Sequence, residues 1–377
     1  MIPEFMKYLN DRKWCQQKAQ EHNKLDCLDD VSWECFKKAY IISQISTWET
    51  VLITGPNGVG KSGYSELMWK ENPLSKGRSG NLIPVNCAAL TDNLVQSELF
   101  GHAKWSYTGA NKEREGKIME AHKKDNGCLF LDEIGDLSMT AQTMLLRFFQ
   151  DGEIQPVGDD NVTKLKNPDT NKIELKVICA TNKNLEEEIE KGCFREDLYN
   201  RINKYKVVIP PLKDRPKDCY QNAQNFLNKF KKNNADTANA SWINELSISE
   251  NFDNDNRKNK YGWGGNFREL ENRIHLAIIN NVPIGKTVIE FNDLFPEGIR
   301  AAKKADSESI EPNLSKFGFP SLTDPTLKSF DLEACTLKLK KAYIDKALDQ
   351  EKQQNNAAKL LGYNTAVKMM RVNGKKD

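Results

Sequence analysis

The chain predicts an α/β fold built on a parallel sheet and followed by all-helical units. Three observations carry that prediction. Short apolar runs (VLIT, LIPVNC, CLFLD, LKVICAT and YKVVIP) recur between helical patterns from residue 51 to residue 210, as expected of parallel strands joined by crossover helices. After residue 215 the apolar spacing is that of helices alone. At 377 residues the chain exceeds the roughly 250 residues that one hydrophobic core sustains, so two or three domains are expected.

Composition narrows the function classes. A net charge of +2 with 29% charged residues excludes a polybasic nucleic-acid coat and an acidic tail, so any DNA contact must be local. The N-terminus MIPEFMKYLNDRKWCQQKAQ has no apolar core of signal-peptide type, and no stretch approaches the ~18 apolar residues of a membrane span. A cytoplasmic protein without membrane contact is the expectation. Nine cysteines without a CxxC pair argue against a disulfide framework or a zinc site and for buried, reduced thiols.

Taken in order, residues 1–29 read as a polar N-terminal helical segment, and SWECFKKAYIISQIS as an amphipathic helix that packs on the strands and helices after it. The α/β unit spans 30–212. Directly after its first strand, and before a helical run, stands G-x-x-x-x-G-K-S: Gly55, Pro56, Asn57, Gly58, Val59, Gly60, Lys61 and Ser62. Glycines let the backbone fold into a nest of amides around phosphates, the lysine supplies a point charge to the terminal phosphates, and the serine hydroxyl can join a Mg²⁺ shell. A glycine-rich structural turn lacks this strand–loop–helix context together with an intact Lys-Ser.

The third run, CLFLDE, ends in Asp132 and Glu133. Two acids at a strand end are usually solvated; beside a phosphate loop, one can orient water on Mg²⁺ and the other can polarise an attacking water. In ATN, at the end of the fourth run, Thr181 and Asn182 are polar groups placed to sense a terminal phosphate. Between the second and third runs lies GHAKWSYTGA, punctuated as a loop by Gly101, Gly109 and Ala110. Trp105 and Tyr107 either pack in a core or form a loop tip that needs a partner to bury it. A helical unit occupies 213–300, with SENFDNDNRKNKYG as a surface loop, then a Pro/Ser/Gly-containing linker over 301–327 and a last unit over 328–377.

Together, VNCAAL, SELFGH, YTGA, LFLDEIGDL, LLRFFQDGEIQPVG, ATN, FREDLYNRI, PPLKDR and GNFREL resemble the AAA+ domain of the sigma-54-dependent transcriptional activators, the bacterial enhancer-binding proteins. The resemblance covers roughly residues 30–295 and implies a P-loop parallel-sheet core, a helical lid over 213–300, and ATP with Mg²⁺ as cofactors. By this resemblance Asn86 is the switch partner of the catalytic Glu133, and Asp132 and Ser62 hold the metal. Asn182 and Arg268 contact the nucleotide. Arg195 and Arg201 reach into a neighbouring subunit's site, which requires a ring; the family assembles hexamers. Taken alone, the arginines also suit ordinary ion pairs on a solvated helix, and Arg268 suits lid packing.

In this family the loop reads GAFTGA and engages sigma-54, so Trp105, Tyr107, Thr108 and Gly109 are the implied contacts with the sigma-54 RNA polymerase holoenzyme. Here it reads WSYTGA, with Trp105 and Ser106 in place of small residues. Ser62 stands where the family commonly has an acid, WGGN where it has WPGN, and the stretch from VGDDNV to CATN is long enough for an extended hairpin beside the loop. The last unit carries eleven Lys and Arg against six Asp and Glu. Its NNAAKLLGY, with a turn at Gly362, resembles a Fis-type helix-turn-helix for double-stranded DNA, with Asn364, Thr365, Lys368 and Arg371 as contacts; a helical dimerisation tail is the other reading.

The implied function is ATP-driven, enhancer-bound remodelling of the sigma-54 polymerase closed complex. The alternative is a regulator or remodeller of the same family that no longer engages sigma-54. Under 50 residues before the ATPase core leave no room here for a receiver or ligand-sensing domain, so the expectation is control by a protein in trans, by the cell's supply of activator, or by a domain outside this sequence.

Overall fold

In the computed structural model the chain divides into two compact units, residues 1–303 and 304–377. The structure describes residues 8–21, 27–45, 48–73, 75, 81–88, 92–104, 113–124, 127–234, 241–281 and 285–299. Trp105, Tyr107, Thr108 and Gly109 lie outside the described residues, as do the linker over 301–327 and the unit bearing Asn364, Thr365, Lys368 and Arg371.

All five apolar runs are strands of one parallel sheet: β1 (Val51–Thr54), β2 (Leu82–Asn86), β3 (Cys128–Asp132), β4 (Lys176–Thr181) and β5 (Tyr205–Val208), in the order β2-β3-β4-β1-β5. Strand residues alternate between two cores, because successive side chains point to opposite faces. Leu52, Leu129, Leu131, Val177 and Cys179 enter one; Val51, Ile53, Cys128, Phe130, Ile178 and Ala180 enter the other. Burial on both faces explains why these strands read as continuous apolar runs.

Helices α1 (Arg12–Glu21), α2 (Asp30–Ile45) and α3 (Lys61–Lys70) cover one face. On the other lie α4 (Asp92–Phe100), α5 (Lys117–Lys123), α6 (Met139–Asp151), α7 (Leu185–Glu190) and α8 (Glu196–Ile202). Residues 32–45 of the amphipathic SWECFKKAYIISQIS lie in α2 and bury Phe36, Ala39, Tyr40 and Ile42. In α6 the Ser138 hydroxyl accepts the Ala141 N–H, and Gly152, at φ 70°, ends the helix.

The expected hairpin forms after α6. Residues 153–154 pair antiparallel with 163–164, and Lys166 bridges Ile173. Gly101–His102 pairs with Arg114–Glu115, and this ladder is tied to the hairpin by Ala103 N–H to Val157 O (3.0 Å) and Val157 N–H to Gly101 O (2.9 Å). Both ends of the 103–113 segment are thereby anchored.

The helical unit expected as the lid comprises α9 (Pro216–Asn233), α10 (Ser241–Glu245), α11 (Phe252–Asn259) and α12 (Asn266–Asn281) around Phe252, Tyr261, Trp263, Leu270, Ile274 and Phe291. SENFDNDNRKNKYG, expected as a loop, contains α11. Its polar composition conceals one inward face, where Phe252 is buried and Asn256, four residues on, accepts the Trp263 indole N–H at 3.1 Å. Of the eight described cysteines, all are free thiols and only Cys193 is exposed.

Candidate nucleotide site

The carboxyl ends of β1, β3 and β4 meet where the strand order reverses, the place in an open α/β sheet where a ligand crevice forms. Gly55 N–H donates to Thr181 O at 3.2 Å and Ile209 N–H to Thr54 O at 2.8 Å, fixing the base of the glycine loop between strands. The loop then turns through Gly58 (φ 74°) and Gly60 (φ 103°), left-handed conformations that glycine adopts without a Cβ penalty.

Three successive carbonyls of this loop are held from the lid. Asn57 O accepts from Asn266 Nδ2 (2.9 Å), Gly58 O from Phe267 N–H (3.0 Å) and Val59 O from Arg215 Nη2 (2.8 Å). Across a trans peptide the N–H points opposite to its carbonyl, so the N–H groups of Gly58, Val59 and Gly60 are aimed away from the lid contacts. None of the three makes a hydrogen bond among the described residues. They form an amide nest of the kind that receives an anion.

A cleft of about 260 Å³ opens over the loop, lined by Asn57, Gly58, Gly60, Lys61, Ser62, Asp132, Glu133, Phe226, Phe267, Arg268 and Glu271. The Lys61 ammonium, almost fully buried at the start of α3, donates to Gly55 O (3.1 Å) and pairs with Glu133 Oε1 (3.0 Å). The other Glu133 oxygen accepts the Asn182 N–H at 2.9 Å. Asp132 at the end of β3 has its carboxyl pushed up by burial and by the Glu133 charge, against the opposing pull of Lys61 and Arg268.

The structure thus brings together Lys61, Ser62, Asp132, Glu133 and Arg268, with the Asn182 backbone alongside. Asn86 ends β2 opposite Asp132, and its Oδ1 accepts the Ala88 N–H at 3.0 Å; no hydrogen bond joins it to Glu133 among the described residues. Thr181 is fully buried and its hydroxyl accepts the Lys183 N–H, so it supports the turn rather than facing the cleft.

Arg195 and Arg201 do not line this cleft. The Arg195 guanidinium makes two bonds to Asp197 (2.9 and 2.7 Å), while Arg201 is exposed on the wall of a second cavity of about 400 Å³ with Trp48, Glu49, Phe149, Lys172 and Lys204. Sequence reasoning did not assign Phe226, Phe267, Glu271, Asn266 or Arg215 to the site. The signal for three of these was proximity to PPLKDR and GNFREL, the blocks that hold Arg215, Asn266 and Phe267.

Comparison with known proteins covers the segment that holds this cleft. Residues 32–208 match the Sigma-54 interaction domain. The sigma-54 interaction domain thus includes the glycine loop, both strand-end carboxylates and the two arginines of α8 and its cap. Among curated relatives, the Nif-specific regulatory protein of Klebsiella pneumoniae is 36% identical over 281 residues, covering 73% of this chain and 49% of that protein. The anaerobic nitric oxide reductase transcription regulator NorR of Aliivibrio fischeri is 35% identical over 321 residues, covering 85% and 56%. The transcriptional regulatory protein ZraR of Escherichia coli is 38% identical over 231 residues, covering 61% and 47%. The chain therefore spans about half the length of these relatives.

Among solved structures, NtrX from Brucella abortus in complex with ATP shares the fold at a TM-score of 0.59 and 20% identity, covering 93% of this chain and 68% of that one. Among the described residues no helix is long and apolar enough to cross a membrane.

Proposed function

We propose that this chain is a cytoplasmic, ATP-hydrolysing transcription activator that assembles as a ring, most simply a hexamer, and remodels the sigma-54 RNA polymerase closed complex from enhancer DNA. The observation that carries the reading is the single cleft in which the amide nest, Lys61, Asp132, Glu133 and Arg268 converge within and beside the sigma-54 interaction domain. The names of the relatives and the ATP in the NtrX complex support it.

In this reading the nest of Gly58, Val59 and Gly60 and the lysine Lys61 bind phosphates, with Gly55, Pro56 and Asn57 shaping the loop. Ser62 and Asp132 suit Mg²⁺, a hard cation that takes oxygen ligands; the burial and like charge that raise Asp132 are what a cation there would offset. Mg²⁺, when bound, screens the phosphate charge. Lys61 exchanges Glu133 for phosphate, which frees that carboxylate to orient and deprotonate water. Asn182 and Asn86 then report the terminal phosphate to Glu133, and Arg268 senses it from the lid. Arg201, and Arg195 once released from Asp197, act on a neighbouring subunit's nucleotide. Tyr107, Thr108, Gly109 and Trp105 grip sigma-54, while Asn364, Thr365, Lys368 and Arg371 contact DNA.

A second reading, a related remodeller that no longer engages sigma-54, is favoured by one observation: Trp105 and Ser106 stand where the loop of such activators has Gly and Ala. A paired assay separates the two. Lys61→Ala should abolish ATP turnover and Glu133→Gln should retain ATP binding with kcat lowered on the order of 10²–10⁴-fold. Thr108→Ala should leave turnover intact and abolish open-complex formation at a sigma-54 promoter. Wild-type ATPase activity with no sigma-54 binding in a transition-state phosphate analogue would establish the second reading; no ATPase above the Lys61→Ala background would overturn both.

A further inference from the structure

Arg215 and Asp218 lie beyond the matched segment of residues 32–208, at the junction of the sheet and the lid, and both are essentially fully buried. Arg215 Nη2 donates to Val59 O at 2.8 Å, and its guanidinium lies 4.6 Å from the Phe267 ring centroid. Asp218 Oδ1 accepts the N–H groups of both Leu28 and Asp29 at 3.0 Å, and Asp29 Oδ2 accepts the Lys217 N–H at 3.3 Å. The two charged groups face each other but stop short of a hydrogen bond, with Nη1 and Oδ2 3.9 Å apart. Among the described residues, Arg215 Nε and Asp218 Oδ2 are buried with no hydrogen-bond partner.

We propose that Arg215 is a positioning residue for the phosphate loop, shared between the Val59 carbonyl and the Asp218 carboxylate, and that this sharing couples residues 28–29 to the nucleotide cleft. The inference rests on the nucleotide reading of the cleft.

Buried polar atoms are paired in the great majority of cases, and a half-satisfied buried ion pair is disfavoured. The unpartnered Asp218 Oδ2, 3.9 Å from Arg215 Nη1, therefore marks a pair held apart by competing bonds. Asp218 is held by the backbone of Leu28 and Asp29; Arg215 is held by Val59. Closing the 3.9 Å gap to charge-assisted length, about 2.8 Å, draws the guanidinium toward Asp218 and off Val59. The Val59 carbonyl then turns, and with it the Gly60 N–H on the same rigid peptide, so one of the three nest amides leaves its aim.

A displacement of residues 28–29 that moves Asp218 shifts this balance, and nucleotide phosphate on the nest shifts it back. That reciprocity is required of any two sites biasing one equilibrium. Asn266, which joins Asn57 O and Leu212 N–H on its two amide atoms, keeps the neighbouring peptide in place, so the change is confined to the Val59 end of the loop.

The test is equilibrium binding of a fluorescent ADP analogue, with amide hydrogen exchange of residues 58–60, on the full chain. Arg215→Met should weaken binding roughly tenfold, the weight of one hydrogen bond from a charged donor, and speed exchange at Gly60. Asp218→Asn keeps an acceptor for Leu28 and Asp29 but removes the competing charge. It should act in the opposite sense, with tighter binding and slower exchange, while Arg215→Lys should fall between wild type and Met. Where Arg215→Met alone does not fold, the double variant Arg215→Met/Asp218→Leu removes both charges and should bind as weakly as the single variant is expected to.

A residue pair with a merely structural role gives losses of the same sign in both single variants, in step with Tm. That outcome, or wild-type affinity in a folded double variant, overturns the proposal. Neither readout requires turnover, so a chain that binds nucleotide without hydrolysing it would refute the ATPase reading and leave this result standing. If the analogue does not bind at all, exchange at Gly60 in the three single variants still decides the proposal.

Discussion

Glu133 sits at φ 55°, in the left-handed region that a non-glycine residue occupies at some cost. Its carboxylate offsets that cost with the Lys61 ion pair and the Asn182 N–H. Lys176 carries a buried charge at the start of β4. With no solvent exposure, it donates to Glu49 O at 2.8 Å, and burial lowers its ammonium from 10.5 to about 8, against the opposing influence of Cys128 and Glu49. Between these values the unfolded chain holds the proton more tightly than the folded one, so stability rises with pH through that window. The full rise is about 3 kcal/mol. Urea unfolding should show it in wild type, and Lys176→Met should flatten it; equal slopes in the two proteins would mean the ammonium is solvated.

At the scale of elements, the phosphate loop and the start of α12 are packed so closely that side chains are excluded between them. A Cβ on Gly58 would lie 2.4 Å from Gly265 O, and the residue is at φ 74°. Gly192 provides the control, with φ 70° and nothing within 4 Å of its Cβ position. Both alanine variants incur the left-handed penalty of roughly 1–2 kcal/mol. Only Gly58→Ala must also push the lid off the loop, so it alone should lower nucleotide affinity, roughly tenfold or more if a lid contact is lost. Isothermal titration alongside thermal melts checks this; equal affinities would show that the lid follows the loop without strain.

At the scale of the whole molecule, the two arginines assigned to catalysis sit away from the cleft of their own chain. Under the proposed ring assembly, a second copy brings Arg201 to the nucleotide cleft. Arg201→Ala and Glu133→Ala should each be inactive as pure proteins. Mixed, they should recover part of the activity, because some interfaces pair an intact arginine with an intact carboxylate. The recovery should peak at an intermediate ratio in a steady-state ATPase assay. Absence of any recovery, with assembly verified by sedimentation, would place catalysis within one subunit.

Short apolar runs and compact motifs are local properties, and they alone determined the five strands, the glycine loop and the strand-end acids. Each of those features is specified by residues adjacent in the chain. Helix α11 was hidden because one buried phenylalanine among eight residues, FDNDNRKN, leaves no helical period to read. The same limit applied to the cleft. Asn57 and Asn266 are separated by 209 residues, and Val59 and Arg215 by 156. Only folding brought the lid's donors to the loop's carbonyls, and only folding paired Glu133 with Lys61 and the Asn182 N–H while Asn86 bonded its own turn. A hydrogen bond is decided by ångström-scale approach and angle, and no spacing along a chain encodes either one for partners that the tertiary packing of two cores must first place.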